Sequence, residues 1–135
     1  SMTVTGSLSD DVAASARATA PMRPLNRLEA LGWAFLAQQH LGLSAGEARA
    51  LQLLACERPG RVVSSEDIQA ALSKRVPCRR PVRLAASTRL ARVRGALVDV
   101  GFCKAVIENL PREGYRIRLS DACQIRSLIE DGGLA

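Results

Sequence analysis

The sequence is poor in the residues that support several kinds of binding and catalysis. Aromatic residues make up 3% of the chain and comprise Trp33, Phe35, Phe102 and Tyr115. Proteins that bind single-stranded nucleic acids stack successive bases on several aromatic side chains, so this composition argues against that class. Histidine occurs once, at His40, and the HExxH, GxGxxG and P-loop patterns are missing. With no nucleophile beside an evident base, the sequence predicts neither an enzyme nor a bound cofactor.

Cysteine is present but scattered. The four residues are Cys56, Cys78, Cys103 and Cys123, and no two of them form a CxxC pair. Because zinc ligands usually come in closely spaced pairs, no metal site is expected. We expect Cys56 and Cys103 to fill core space. Cys78 follows a proline and precedes two arginines, which makes it the candidate for a reactive thiol.

Long apolar runs are also missing. No segment has the roughly 20 apolar residues needed to cross a bilayer. The N-terminus has no basic region followed by a hydrophobic core, which a secretory signal would require. These two absences predict a cytoplasmic protein with no membrane partner.

What the chain does have is positive charge in one place. Its 135 residues carry a net charge of +6 with a pI of about 9.9. Eight cations fall in one span that contains no acidic residue: Lys74, Arg75, Arg79, Arg80, Arg83, Arg89, Arg92 and Arg94. A charge segregated in this way steers a polyanion towards one face of a protein.

The second half of this basic span has the periodicity of an amphipathic helix. In residues 82–100, apolar side chains recur at alternating steps of four and three: Ala86, Leu90, Val93, Leu97 and Val100. The opposite face carries small residues and Arg92, so it could approach another backbone closely. Arginine suits phosphates and guanine edges, and threonine or alanine methyls can touch thymine, which makes a DNA groove the natural partner. The alternative is a solvated helix whose arginines only aid solubility.

The N-terminal part divides into a tail and a helix. Residues 1–23 are rich in serine, alanine and threonine, which is typical of a flexible tail. Asn26 and Glu29 then form a capping-box pattern that opens a helix within residues 24–42. Leu28, Leu31 and Phe35 lie on one stripe of this helix, which Trp33 and Leu36 widen. Such a face either covers the main core or pairs with a second copy, so a homodimer through residues 25–40 stays open.

The middle of the chain predicts two more helices and a basic loop. Ser44 with Glu47 is a second capping box, and Pro59-Gly60 ends the helix that it opens. Ser64 caps a third helix. The loop over residues 74–83 follows because Pro77 and Pro81 cannot lie inside a helix.

The C-terminal part predicts a β-hairpin and a last helix. Residues 104–109 and 115–119 alternate as strands do, and a glycine-containing turn separates them, with the wing spanning residues 110–115. Ser120 is then expected to cap a helix over residues 120–131 that ends before Gly132-Gly133. The fold class is mainly α with a small β-hairpin. The order of elements is that of a winged helix-turn-helix domain over residues 24–135, with an extra helix at each end.

Several short motifs carry a family resemblance. The first helix of the expected winged-helix domain has Glu47, Leu53-Leu54 and a closing Pro59-Gly60. The motif VVSSE at residues 62–66 leads into the second helix of that domain, and GYR at residues 114–116 ends the wing. The recognition helix ends in ARVRGAL at residues 91–97, a looser match. With these motifs, the stretch 47–117 resembles the winged-helix effector domain of OmpR/PhoB-type response regulators. It does so without a receiver domain, and with a helix where the family has a small sheet.

The resemblance implies a transcription regulator that binds double-stranded DNA. In that family the third helix of the winged-helix domain is the recognition helix, which corresponds here to residues 83–100. It enters the major groove, and the wing reaches the adjacent minor groove. The candidate base contacts are then Thr88 and Arg92, and Arg112 is the wing contact. The candidate phosphate contacts are Arg79, Arg80, Arg83, Arg89 and Arg94. A nucleoid-associated location follows, and the alternative is a protein-docking module that binds RNA polymerase or another regulator through the 74–83 loop.

Overall fold

A computed structural model describes residues 23–73 and 86–131. This part of the chain is mainly helical with one two-stranded antiparallel hairpin, which confirms the coarse fold class expected from the sequence. The elements in chain order are α1 Arg27–Leu41, α2 Ala45–Gln52, α3 Ser65–Leu72, α4 Ala86–Asp99, β1 Ile107–Leu110, β2 Gly114–Ile117 and α5 Leu119–Glu130. No helix in these two ranges is both long enough and apolar enough to traverse a membrane.

Helix α1 begins and ends as its sequence predicts. The side chain of Asn26 accepts a hydrogen bond from the backbone N–H of Glu29, and the Glu29 carboxylate accepts one from the N–H of Asn26. At the other end Gly42 adopts a left-handed conformation, which lets its N–H bond to the carbonyl of Gln38. The capping-box prediction is confirmed, and the helix lies within the expected limits.

Helix α2 is held against both neighbouring helices. Its Gln52 side chain donates to the carbonyl oxygen of Ala30 in α1 at 2.6 Å, and Arg49 donates to that of Ala71 in α3 at 3.1 Å. The predicted capping box of Ser44 and Glu47 is present. The helix expected to run to Pro59-Gly60 continues beyond Gln52 as a wider π-helical turn, Leu53–Glu57.

Helix α3 begins at the predicted cap. The hydroxyl of Ser64 accepts a hydrogen bond from the N–H of Asp67 at 3.1 Å, and the Asp67 carboxylate pairs with Arg58 at 2.6 Å. Just before this cap, Val63 forms a bridge with Tyr115 of β2, with N–H to carbonyl bonds of 2.8 Å in both directions. This bridge brings the short segment before α3 beside the hairpin.

Helix α4 packs on the core through the predicted stripe. Ala86, Leu90, Val93 and Leu97 are buried, whereas Val100, just past the helix end, is exposed. The expected helix began at residue 82 or 83, and residues 82–85 lie outside the described ranges. The chain reverses after the helix at Gly101, whose positive φ of 110° suits glycine.

The hairpin is shorter than expected. Residues Lys104–Val106 form a 3₁₀ turn, so the predicted strand 104–109 is wrong for its first three residues and β1 begins at Ile107. The pairing runs from Ile107 opposite Ile117 to Leu110 opposite Gly114. Because no partner strand extends before Ile107, β2 ends at Ile117 instead of reaching Leu119.

Helix α5 therefore starts earlier than predicted. Its N-cap is Arg118, which makes no side-chain capping bond, so the expected cap at Ser120 is wrong. The helix ends at Glu130, close to the predicted residue 131, and the predicted stop at residues 132–133 lies outside the described ranges. Arg126 is buried in this helix, where it contacts Glu130 and the carbonyl oxygen of Arg23.

Of the two predicted core cysteines, one is buried and the other is exposed. Cys56 is buried in the core as predicted, and burial raises the pKa of its thiol. Cys103 is exposed, so its predicted core position is wrong: it lies in the extended segment between Gly101 and the 3₁₀ turn, away from the packed faces. Cys78 and the tail 1–22 lie outside the described residues.

Candidate nucleic-acid interface

The outward face of α4 is open to solvent. Thr88, Ala91, Arg92 and Gly95 are all exposed. They lie opposite the buried stripe because residues spaced by three and four share one face of a helix. Arg92 has 67% of its side chain exposed. Both predicted base-contact residues, Thr88 and Arg92, therefore lie on the same accessible face.

A buried carboxylate sits beside this helix. Glu47 has only 5% of its side chain exposed, and its Oε2 lies 3.4 Å from Nε of Arg89 and 3.7 Å from Nε of Arg92. Its Oε1 accepts the N–H of Ser44 as part of the α2 capping box. One carboxylate thus completes the start of α2 and also fixes the first half of α4 against it.

Arg89 is more strongly engaged than Arg92. Its Nη2 lies 3.4 Å from the hydroxyl of Ser44, in addition to the Glu47 contact, and its side chain is 22% exposed. An arginine held by a buried acid and a helix cap positions its own helix. The partly exposed guanidinium retains donors for a phosphate, so the predicted phosphate contact stays a prediction.

Arg94 also has an internal partner. Its Nη2 donates to the carbonyl oxygen of Ile107 at 2.9 Å, at the start of β1. This bond ties α4 to the hairpin, and the 3₁₀ turn Lys104–Val106 packs on α4 next to it. The phosphate contact at Arg94 remains a prediction. One donor of its guanidinium is already bonded to the carbonyl of Ile107.

Arg112 lies at the exposed tip of the hairpin. It follows Pro111 in the turn between the strands and has a positive φ of 68°, which is uncommon for a residue with a side chain. The turn is closed by the N–H of Glu113 and the carbonyl of Leu110 at 2.9 Å. Arg112 shares a shallow groove with Ser65 and Glu66, so the tip stands beside the start of α3.

The hairpin is fixed by its contact with the segment before α3. In addition to the Val63 and Tyr115 bridge, the N–H of Gly60 bonds to the carbonyl of Ile117 at 3.0 Å. Gly114 makes this pairing possible, because a Cβ at that position would overlap the carbonyl oxygen of Val63. Its φ of 139° also disfavours any other residue.

The predicted phosphate contacts Arg79, Arg80 and Arg83 and the 74–83 loop lie outside the described residues.

Sequence reasoning missed the role of Glu47 towards Arg89 and Arg92. The Ser44 and Glu47 spacing identified it as a capping residue, but nothing local in the sequence indicates its burial against α4.

Comparisons of the chain with protein-family models, curated proteins and solved structures found no match.

Proposed function

We propose that this protein is a winged helix-turn-helix DNA-binding protein that regulates transcription, with α4 in the major groove and the hairpin tip on the adjacent minor groove. The observation that carries the proposal is the combination of an exposed face on α4, which bears Thr88 and Arg92, with a hairpin joined to the segment before α3. Val63, β2 and β1 lie in the order in which the three short strands of a winged helix pair. This arrangement supports the winged-helix proposal.

The face of α4 supports a division of roles among its residues. Arg92 and Thr88 are exposed and carry the groups that read base edges, because a guanidinium can bond to guanine and a threonine methyl can contact thymine. Arg112, and Arg79, Arg80 and Arg83 from the sequence, then contact the backbone or the minor groove. Arg89 and Arg94 add donors while holding α4 in place.

The test begins with selection of bound fragments from random duplex DNA. Binding of the selected site and of unrelated DNA is then measured by fluorescence anisotropy for Arg92→Ala and for Arg79→Ala. We expect Arg92→Ala to lose preference for the selected site, by about 1–3 kcal/mol, because a base contact is removed. Arg79→Ala should weaken both DNAs similarly.

Arg27→Ala is the matched control, since Arg27 is an exposed arginine on α1 instead of α4. It should leave both affinities unchanged. Equal, sequence-independent losses from all three substitutions would refute the assignment of base reading to α4. Failure to select any DNA, together with nuclease-insensitive capture of RNA polymerase, would favour the docking alternative.

A further inference from the structure

A cationic groove lies between α4 and the hairpin. Arg94 of α4, Lys104 of the 3₁₀ turn and Arg116 of β2 line it together with the residues of β1. Its volume of about 540 Å³ is in the range of ligand-binding clefts. Glu108 is the one acidic residue among those that line it, so the groove carries an excess of two positive charges. We call it the hairpin groove.

Arg94 joins the hairpin groove to the exposed face of α4. It follows Ala91 of that face by three residues, and residues with this spacing are neighbours on the surface of a helix. Its bond to the carbonyl of Ile107 leaves the other N–H groups of the guanidinium for a further acceptor. At its other end the groove includes Leu110, which directly precedes the hairpin tip at residues 111–113. The groove therefore connects the face of α4 to the tip.

Lys104 is the least engaged cation of the hairpin groove. Its side chain is exposed, and it makes no hydrogen bond or ion pair with another described residue. An ammonium group carries a full charge and three donors. Both the charge and the donors of Lys104 are therefore available to an anion.

Glu108 would repel an anion, but its charge is compensated within the hairpin. Arg116 lies directly opposite Glu108 in the strand register, and its Nη2 and Nε lie 2.6 Å and 2.7 Å from the same carboxylate oxygen. Cross-strand pairs of opposite charge stabilise a hairpin. Because Arg116 neutralises Glu108, the excess positive charge of the groove belongs to Lys104 and Arg94.

We infer that the hairpin groove binds one sugar-phosphate strand of duplex DNA, with Lys104 and Arg94 donating to its phosphates. This inference rests on the proposed function and extends it. One strand of a duplex separates the major groove from the adjacent minor groove. With α4 in the major groove and the hairpin tip in the minor groove, that strand has to pass between the two elements, where the hairpin groove lies.

Salt dependence tests the contact at Lys104. Affinity of the full chain for a mixed-sequence duplex is measured by fluorescence anisotropy from about 50 to 200 mM salt, and each neutralised phosphate contributes about 0.9 to the slope of log affinity against log salt. We expect Lys104→Ala to reduce this slope by about 0.9, so that its loss of affinity is about threefold larger at the lower salt concentration. Thermal unfolding should be unchanged, since Lys104 has no described partner.

Arg27→Ala is the matched control, because Arg27 is an exposed cation on α1, which packs on α2 and α5. It should keep the slope of the unaltered chain. An equal slope for Lys104→Ala and Arg27→Ala would overturn the inference and leave the proposed function intact. If the unaltered chain binds no duplex at the lowest salt concentration, the proposed function fails and this inference fails with it.

The carboxylate of Glu108 provides a test of opposite sign. Glu108→Gln leaves the charge of Arg116 uncompensated, so affinity for the same duplex should rise and its salt dependence should become steeper. Unchanged or weaker binding would contradict the inference.

Ethylation interference tests whether Lys104 contacts a phosphate directly. Ethylating a phosphate removes its charge, so it weakens a protein that binds there. On a selected fragment, we expect at least one phosphate whose ethylation weakens the unaltered chain to have no effect on Lys104→Ala. An identical pattern for both proteins would refute a direct contact.

Discussion

At the scale of single residues, Arg126 shows how a buried charge can be accommodated in this protein. Its side chain is 1% exposed, its Nε lies 2.7 Å from Oε2 of Glu130, and its Nη1 donates to the carbonyl oxygen of Arg23 at 2.9 Å. A buried guanidinium with these partners has its charge and donors compensated within the protein. It therefore links α5 to the segment that leads into α1.

We predict that Arg126→Ala lowers the free energy of unfolding by about 3 kcal/mol. The substitution leaves a cavity and removes the partner of the Arg23 carbonyl and the Glu130 carboxylate. Urea unfolding followed by circular dichroism measures the loss. Arg116→Ala is the control, since Arg116 pairs with Glu108 in a more solvated setting and should cost less than about 1 kcal/mol. Equal losses would contradict the structural role assigned to Arg126.

A substitution at Gly95 should change protein stability and DNA affinity in opposite directions. It lies inside α4 on the exposed face, and a Cβ there would meet no atom within 4 Å. We predict that Gly95→Ala raises the free energy of unfolding by about 0.5–1 kcal/mol, because alanine favours the helix. The same methyl should lower DNA affinity, since it projects from the face proposed to enter the groove. Thermal unfolding and fluorescence anisotropy of one preparation measure both effects, and a rise in both quantities would place residue 95 away from DNA.

At the scale of elements, local capping decides where most helices begin. Asn26, Ser44 and Ser64 each accept a backbone N–H three residues on, as the sequence predicts. Such bonds depend on residues within one turn, so they can be read from the sequence without knowledge of the fold. Long-range packing determines the exceptions.

The hairpin and α5 illustrate such an exception. The alternation of residues 115–119 predicts a strand through Leu119, but a strand needs a partner, and the 3₁₀ turn before Ile107 provides none beyond Ile117. The chain is therefore free to enter α5 at Leu119, one residue before the expected cap. In the candidate site, outward-facing Thr88 and Arg92 follow from helical periodicity alone. The internal partners of Arg89 and Arg94 do not, because they belong to other elements.

Two serines test this account of capping. We predict that Ser64→Ala lowers the free energy of unfolding by about 1 kcal/mol, because it removes the acceptor for the N–H of Asp67. Ser120→Ala should change it by less than about 0.5 kcal/mol, because Ser120 lies inside α5 and does not cap it. Chemical denaturation of both variants measures the difference. A larger loss at Ser120 would restore the cap expected from the sequence.

The start of α1 should be sensitive to acid. Hydrogen bonds from Arg23, then from the backbone N–H of Asn26, lower the pKa of Glu29 from 4.5 to about 2. A carboxyl whose pKa is lower in the folded state stabilises that state above pH 4.5, and this contribution is lost as the pH falls towards 2. We predict that Glu29→Gln lowers stability at neutral pH and removes this part of the acid dependence. NMR titration of the Glu29 carboxyl, with a midpoint near 4.5, would contradict the prediction.

At the scale of the whole molecule, charge and shape have different origins. The net charge of +6 is a property of composition, whereas the orientation of α4 depends on Glu47 and on the carbonyl of Ile107. The positive charge attracts a polyanion, and the fixed orientation of α4 determines which side chains contact it. Both are needed for the proposed function.

Salt should therefore weaken DNA binding strongly. With about five phosphates neutralised, raising the salt concentration from 50 to 200 mM is predicted to lower affinity roughly 10²–10³-fold. A titration of affinity against salt, by anisotropy, gives the number of phosphates from its slope. An affinity independent of salt would contradict electrostatic binding by the basic span.

Gly114 limits which substitutions the hairpin can accept. Because Val63 occupies the space where a Cβ would be, mutation cannot extend the hairpin's reach at that residue without separating the strands. Residues 111–113 are exposed, and only the positive φ of Arg112 restricts the choice of side chain among them. We therefore expect the hairpin to accept substitutions at residues 111–113 more readily than at Gly114, where a side chain would disrupt the pairing with Val63.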